Sequence, residues 1–355
     1  MPPLASARPT IVVKGQDSAA LTAGLLALTI VESTEGSHGC EAVFGNWGTP
    51  AAGQAGFLYF DRQLLDFGVS FLVRPPNSRS VSFDGSIVAL GAGFPRDSPP
   101  TTTVRAEDRC IDLRMTPRTR TFEGVSDSDV MNRIASDHGL TPVIDVTGGQ
   151  HKILAQVNQS DLAFLRDRAR AVDADIWIDG DALHAHTRAR RQDATVALAL
   201  GGALREFSVV ADLTHQRTAV VVGGWDVQRK EAIESVATDA VLAREIGDRV
   251  SGPALLASHF GSREESVVHT VPTSRDEGRA RAESCFRTNA RGFVVGRGVA
   301  DDGEWRIRAG AHLDLTGVGP LFSGPYYVTE SCRIFDAQSG MRTEFTAQTT
   351  GLGRG

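Results

Sequence analysis

The sequence predicts an α+β fold that is mainly β, and three observations predict it. Short apolar runs alternating with polar residues recur through the first and last thirds of the chain, the period-two signature of half-buried strands. The 37 glycines exceed what a helical protein would carry and suit many turns between short strands. Helical periodicity with capping residues is concentrated in the middle of the chain and recurs once, near Ser274, so few helices are expected elsewhere. The expected organisation is a β region over residues 1–118, a small α/β unit over 119–198 and a second β region over 199–355 with one capped helix at about 274–291.

A chain of 355 residues is too long for one ordinary core and implies two or three domains. Hydrophobic and charged fractions of 41% and 23% are those of a globular protein rather than a disordered one. A net charge of −6 leaves no whole-chain footprint for nucleic-acid binding. Cys40, Cys110, Cys285 and Cys332 include no C-x-x-C pair, so free, mostly buried thiols are expected. The first fourteen residues lack a signal-peptide pattern, and the apolar run over 19–31 is too short to span a bilayer.

In the first region, strands are expected at 11–13, 25–31, 41–44, 69–73, 80–83, 87–90 and 101–106. Asp84-Gly85 reads as a hairpin turn and 95–100 as a proline-rich excursion. A small barrel or sandwich would accommodate them. In the middle, Ser126-Asp127-Ser128-Asp129 supplies an N-cap with first-turn acids, and Gly139 a stop. A second helix begins near Ser160, with Leu162, Leu165, Ala169 and Val172 on one face, and a hairpin turns at Asp179-Gly180.

Further on, strands are expected at 196–200, 204–210 and 219–222, while 232–250 takes no clear assignment. Ser274-x-x-Glu277 is a capping-box pattern, and Gly292 is a stop for the helix it opens. The run over 308–329 reads as strand, glycine turn, strand: Leu313 and Leu315 alternate with His312, Asp314 and Thr316, and Gly317, Gly319 and Gly324 mark the reversal.

Chemistry is sparse. His184-x-His186 places two imidazoles on one strand face, but no third ligand is evident nearby and arginines follow, which favours structural histidines over a zinc site. The carboxylate pairs Asp127/Asp129, Asp173/Asp175 and Asp301/Asp302 have plain roles as helix-start or turn residues. No G-x-S-x-G, phosphate-loop lysine or H-E-x-x-H occurs. Trp225 is expected to anchor a core where a strand turns a corner.

Several stretches together resemble a known family. Gly224-Trp225-Asp226 followed by Lys230, then a helix, then Gly310-x-x-x-x-Leu315-x-Gly317, then Ser323-Gly324 with Tyr326, Tyr327, Val328 and Thr329, resembles the C-terminal half of the phage late control gene D proteins. Phe83, Gly85, Ile87, Asp108 and Leu113 match the family's first region. The stretch Ser160 to Arg170, followed by Leu183 to His186, is similar to its middle segment. Cys332 departs from the pattern, where relatives often carry histidine.

The resemblance implies a baseplate hub of contractile tails, also found as the front module of type VI secretion spike proteins. It implies two tube-type β-barrel domains flanking the α/β unit. Three chains would form a pseudo-sixfold homotrimer joining a hexameric inner tube to a trimeric spike, with other baseplate components as partners. The fused spike modules of some relatives do not follow Phe345, so the spike is expected as a separate protein. No enzyme activity, cofactor, metal or stable nucleic-acid binding is expected, and assembly would occur in the bacterial cytoplasm. The alternatives are a hub with cell-wall hydrolase activity and a peptidoglycan-binding module. Gly224, Trp225, Asp226, Gly310, Gly317, Gly324 and Tyr327 are the expected structural motif.

Overall fold

The computed structural model describes residues 8–49, 53–191, 195–226, 229–268, 271–301 and 304–354. The first region contains β1 (Thr10–Val13), β2 (Gln16–Asp17), α1 (Ala19–Gly24), β3 (Leu25–Ser33), β4 (Gly39–Gly45), β5 (Ser70–Arg74), β6 (Phe83–Gly93) and β7 (Thr101–Glu107). The middle contains α2 (Cys110–Arg114), β8 (Pro117–Ser126), α3 (Asp127–Asp137), β9 (Thr141–Asp145), β10 (Gln150–Ser160), α4 (Asp161–Ala171), β11 (Ala174–Asp179) and β12 (Ala182–Thr187). The last region opens with β13 (Thr195–Ala199), β14 (Leu204–Ala211), β15 (Ala219–Asp226) and β16 (Glu231–Thr238). After a 3-10 turn come α5 (Ala243–Ile246), β17 (Val250–Ser251), α6 (Gly252–Phe260), β18 (Glu264–Val267) and α7 (Arg275–Arg291). It closes with β19 (Val294–Asp301), β20 (His312–Thr316), β21 (Gly324–Asp336), β22 (Gly340–Thr349) and β23 (Gly351–Leu352).

The mainly β character expected from the sequence is present, but the two β regions are not separate sheets. Their strands join in one 13-stranded sheet running β14-β19-β22-β21-β3-β4-β7-β6-β5-β1-β2, with β13 and β20 attached beside β21. Among the described residues neither half closes into a barrel. The join is made by β21, which is 13 residues long. Its first part pairs with β20, and from Glu330 to Asp336 it pairs with β3, while β22 lies along its other side. A β-bulge between Val328 and Glu330 marks where the neighbour changes, since an extra residue re-aims a strand.

Each half of the sheet covers its own apolar core. Under the first half lie Ile11, Leu28, Ile30, Phe44, Phe71 and Val104, joined by Phe335 and Met341 from the last region. Under the second lie Val196, Phe293, Leu313, Tyr326, Val328 and Phe345. A smaller core forms where α7 covers β15 and β16 through Val220, Val222 and Phe286.

Asp84 and Gly85 correct the sequence reading, because both lie inside the single strand β6 rather than at a turn. A Cβ at Gly85 would sit 2.3 Å from the Glu107 carbonyl oxygen. The glycine is there for close approach of β7, not for chain reversal.

The middle unit is a strand-helix-strand motif built twice. Ser126 caps α3 and Ser160 caps α4, each accepting from a backbone N–H in the first turn, and both helices are 11 residues long. Gly139 and Asp173, with φ of 64° and 58°, end them. The two motifs exchange partners across the unit. Asp127, first in α3, has His151 Nε2 3.0 Å away and accepts from Arg168 Nε. Asp161, first in α4, accepts from Arg120 Nη2 at 2.6 Å and has His138 Nε2 2.8 Å away. Burial pushes both carboxyls up, but these hydrogen bonds and charges outweigh it and hold both below the usual range.

Ser126 completes a full capping box with Asp129. Replacing Ser126 with alanine is therefore expected to cost about 1 kcal/mol, read as a lower urea midpoint with an unchanged slope.

Candidate assembly surface

On the face of the large sheet opposite the cores the side chains are half-buried to exposed. On β22, Arg342, Glu344, Thr346 and Gln348 alternate with the buried Met341, Thr343, Phe345 and Ala347. Val295, Arg297 and Val299 continue this face on β19, and Glu330, Cys332 and Ile334 on β21. Over the last region it hollows into a depression of about 470 Å³ lined by Glu206, Arg297, Glu330 and Glu344 among others. The sheet path ends at β14, whose ladder partner among the described residues is β19, with one isolated bridge from Leu204 to Leu200. A partly exposed sheet face that ends at an edge strand is suited to association with other chains.

A buried polar cluster rivets the sheet beneath the join. Arg333 Nη1 donates to Glu32 Oε1 at 2.9 Å, and Arg308 Nε lies 3.2 Å from both Glu32 oxygens. Burial works against the Glu32 charge, yet Arg333 and Arg308 hold its carboxyl far below the usual range. Nearby, burial pushes Asp108 up to about 7 although it accepts from the His38 and Cys110 backbone N–H groups. Burial pulls His38 down, which favours its neutral form.

The motif residues fall in two places. Gly310, Gly317, Gly324 and Tyr327 frame the approach of β20 and β21. Gly310, at φ 95°, faces Arg191 so closely that a Cβ would overlap the guanidinium. That guanidinium stacks 3.9 Å over Trp177 and donates to the Ala309 carbonyl. Gly317 and Gly324 also have positive φ, beside Leu200 and Arg249 respectively. Tyr327 is buried, donates its hydroxyl to Asp175, and has the Arg188 guanidinium 4.2 Å over its ring. Of these four, Gly310 and Tyr327 pack against the middle unit, through Arg191, Arg188 and Asp175.

Gly224, Trp225 and Asp226 sit apart, at the end of β15. A Cβ at Gly224 would lie 2.4 Å from the Pro272 carbonyl oxygen. Asp226 accepts from the Arg229 N–H in the turn to β16. Trp225 corrects the expected buried anchor, being 50% exposed. α7 covers the Val220 and Val222 side of the strand, and Trp225 projects from the other side opposite Ala232.

The residues considered for chemistry do not converge. Asp129 closes its capping box, Asp173 pairs with Arg291, and Asp175 pairs with Arg191 and Tyr327. Asp301 pairs with Arg205, and Asp302 lies outside the described residues. His184 stacks on Trp177 at 4.8 Å and His186 lies at 5.3 Å. Among the described residues no three potential ligands gather as a metal site. All four cysteines are free, with Cys40 and Cys110 buried. No helix among the described residues is long and apolar enough to cross a membrane.

This architecture is that of phage tail proteins. The structure superposes on the 43 kDa tail protein of prophage MuSo2 from Shewanella oneidensis with a TM-score of 0.71, covering 96% of this chain and 97% of that one at 11% identity. A tail protein from Neisseria meningitidis gives 0.66, with 98% and 97% covered at 12% identity. An Escherichia coli component of the type VI secretion system gives 0.63, with 97% and 79% covered at 10% identity. At such identities the likeness establishes the fold.

Residues 77–333 match the Alg8 N-terminal domain family, and the chain belongs to that family. The matched family is not that of the late control D proteins, and the likeness to tail and secretion proteins is one of fold. No curated protein matches the chain in sequence.

Proposed function

We propose that this protein is the structural hub of a contractile tail or contractile injection system, of the late control D type. Three copies form an adaptor with the hexameric inner tube on one side and the trimeric spike on the other. The observation that carries this reading is the continuous sheet, in which two β regions with separate cores are fused at β21 and β3. Three copies bring six such halves to one axis, so a sixfold partner can be met without six identical chains. In this reading the open edge at β14 receives a neighbouring copy, and each half, completed by its neighbour, serves as a tube-type barrel. The units 1–118, 119–198 and 199–355 are the working domains.

The tail-type fold and the paired carboxylates favour a structural role over a catalytic one. Assembly in the bacterial cytoplasm, with the tube, spike and other baseplate proteins as partners, belongs to the same reading.

Light scattering on the purified chain tests it, alone and with candidate tube and spike proteins. A trimeric mass, or a monomer that becomes trimeric when one of them is added, is the expected result. A chain that stays monomeric with every candidate overturns the proposal.

A further inference from the structure

A cleft of about 170 Å³ separates the first region from the tip of the β11–β12 hairpin. Asp84, Asp108, Asp179 and Asp181 line it against two guanidinium groups, those of Arg109 and Arg308. Both guanidiniums are already engaged, Arg109 Nη1 with Asp181 at 2.8 Å and Arg308 Nε with Glu32 at 3.2 Å. Asp108 accepts from the His38 and Cys110 backbone N–H groups. Asp84 and Asp179 are left over: both are exposed, and among the described residues neither makes an ion pair or a side-chain hydrogen bond. Burial and the charges of Asp181 and Asp179 all push the Asp84 carboxyl up, with no basic group opposing them. The acids of this cleft therefore repel one another without compensation. Ser82, just before β6, gives a second and independent sign. It lines the same cleft, is only 7% exposed, and its hydroxyl has no hydrogen-bond partner among the described residues, a state that buried polar atoms rarely keep.

We infer that this cleft receives an arginine side chain of a partner polypeptide, which bridges Asp84 and Asp179 and donates to the Ser82 hydroxyl. The unmatched charge on the walls is negative, so the occupant is a cation, and an acidic or phosphate-bearing group is excluded by the same charges. Asp84 stands on β6 and Asp179 at the end of β11. Among the described residues no three carboxylates, thiols or imidazoles gather closely enough for a metal ion. A guanidinium has five N–H donors spread in one plane and reaches carboxylates on two walls, where the compact ammonium of a lysine meets one. Its weaker hydration also suits a half-enclosed site. The inference rests on the reading that the chain works by binding other proteins, but it does not require a trimer.

The test is calorimetric titration of the whole chain at low salt with a blocked Ala-Arg-Ala peptide, and separately with blocked Ala-Lys-Ala and with magnesium chloride. Saturable binding of the arginine peptide is expected, tighter than that of the lysine peptide, and weakened about fivefold in Asp84→Asn and in Asp179→Asn. Ser82→Ala is expected to weaken it about threefold, whereas diffuse attraction to an acidic surface would not sense the hydroxyl. Because Asp84 and Asp179 are exposed and make no ion pair, their variants keep the test valid if Ser82→Ala folds poorly. Absence of arginine-peptide binding, equal affinity for the lysine peptide, magnesium binding more tightly than either, or arginine-peptide binding unchanged in Asp84→Asn would each overturn the assignment. A chain that binds the peptide yet never trimerises refutes the hub and leaves the cleft's role standing.

Discussion

Replacing Arg333 with methionine is expected to destabilise the chain by about 3–5 kcal/mol, the usual consequence of removing one partner from a buried ion pair. Arg333 and Glu32 are 0% and 1% exposed, and they sit on β21 and β3, the two strands that join the halves of the sheet. Without Arg333, Glu32 keeps only Arg308, whose side chain is more open to solvent. The double replacement Arg333→Met/Glu32→Gln is expected to cost less than Arg333→Met alone, because it leaves no buried charge behind. Urea titrations of the three chains check this. If Arg333→Met unfolds at the same urea concentration as the parent, the pair does not hold the join.

The same pair sets a pH dependence. The Glu32 carboxyl is held below its ordinary value in the folded chain. Its contribution is therefore complete above the unfolded value, about 4.3, and declines as pH falls through the lower folded value. The difference in stability between the parent and Arg333→Met is expected to hold from pH 7 down to about 4.3 and to narrow below it.

Replacing Gly36 with alanine is the second large effect, expected at about 2–4 kcal/mol. Gly36 has φ 80°, and a Cβ there would lie 2.3 Å from the Ile176 carbonyl oxygen. Both penalties apply together, and the obstacle is backbone that cannot rotate away. Cys110 also donates to the Gly36 carbonyl, so the turn is fixed on both sides where the first region meets the middle unit. Thermal unfolding checks the loss. Alanine at Gly124, which has a similar φ of 59° and open space around it, is the matched control and should cost only the backbone part.

What could be read from the sequence was local. Ser126, Ser160 and Ser274 announce their helices because a cap and its first-turn N–H groups lie within a few residues. The Asp179-Gly180 hairpin and the reversal before Gly324 are legible for the same reason. Asp84-Gly85 misleads because its glycine answers to a carbonyl on a distant strand, and a dipeptide carries no sign of that. The exposure of Trp225 depends on which side of β15 the helix α7 settles. The β3–β21 join pairs residues some three hundred positions apart, and strand pattern specifies which face is buried but not which strand lies alongside.

The exchanged pairs of the middle unit carry a last consequence. Asp127 is neutralised by residues of the second motif and Asp161 by residues of the first. Either motif expressed by itself would strand an ionised aspartate at a helix start with no counter-charge. The unit thus has the logic of an obligate dimer whose two members share one backbone. Its two helices are expected to melt together.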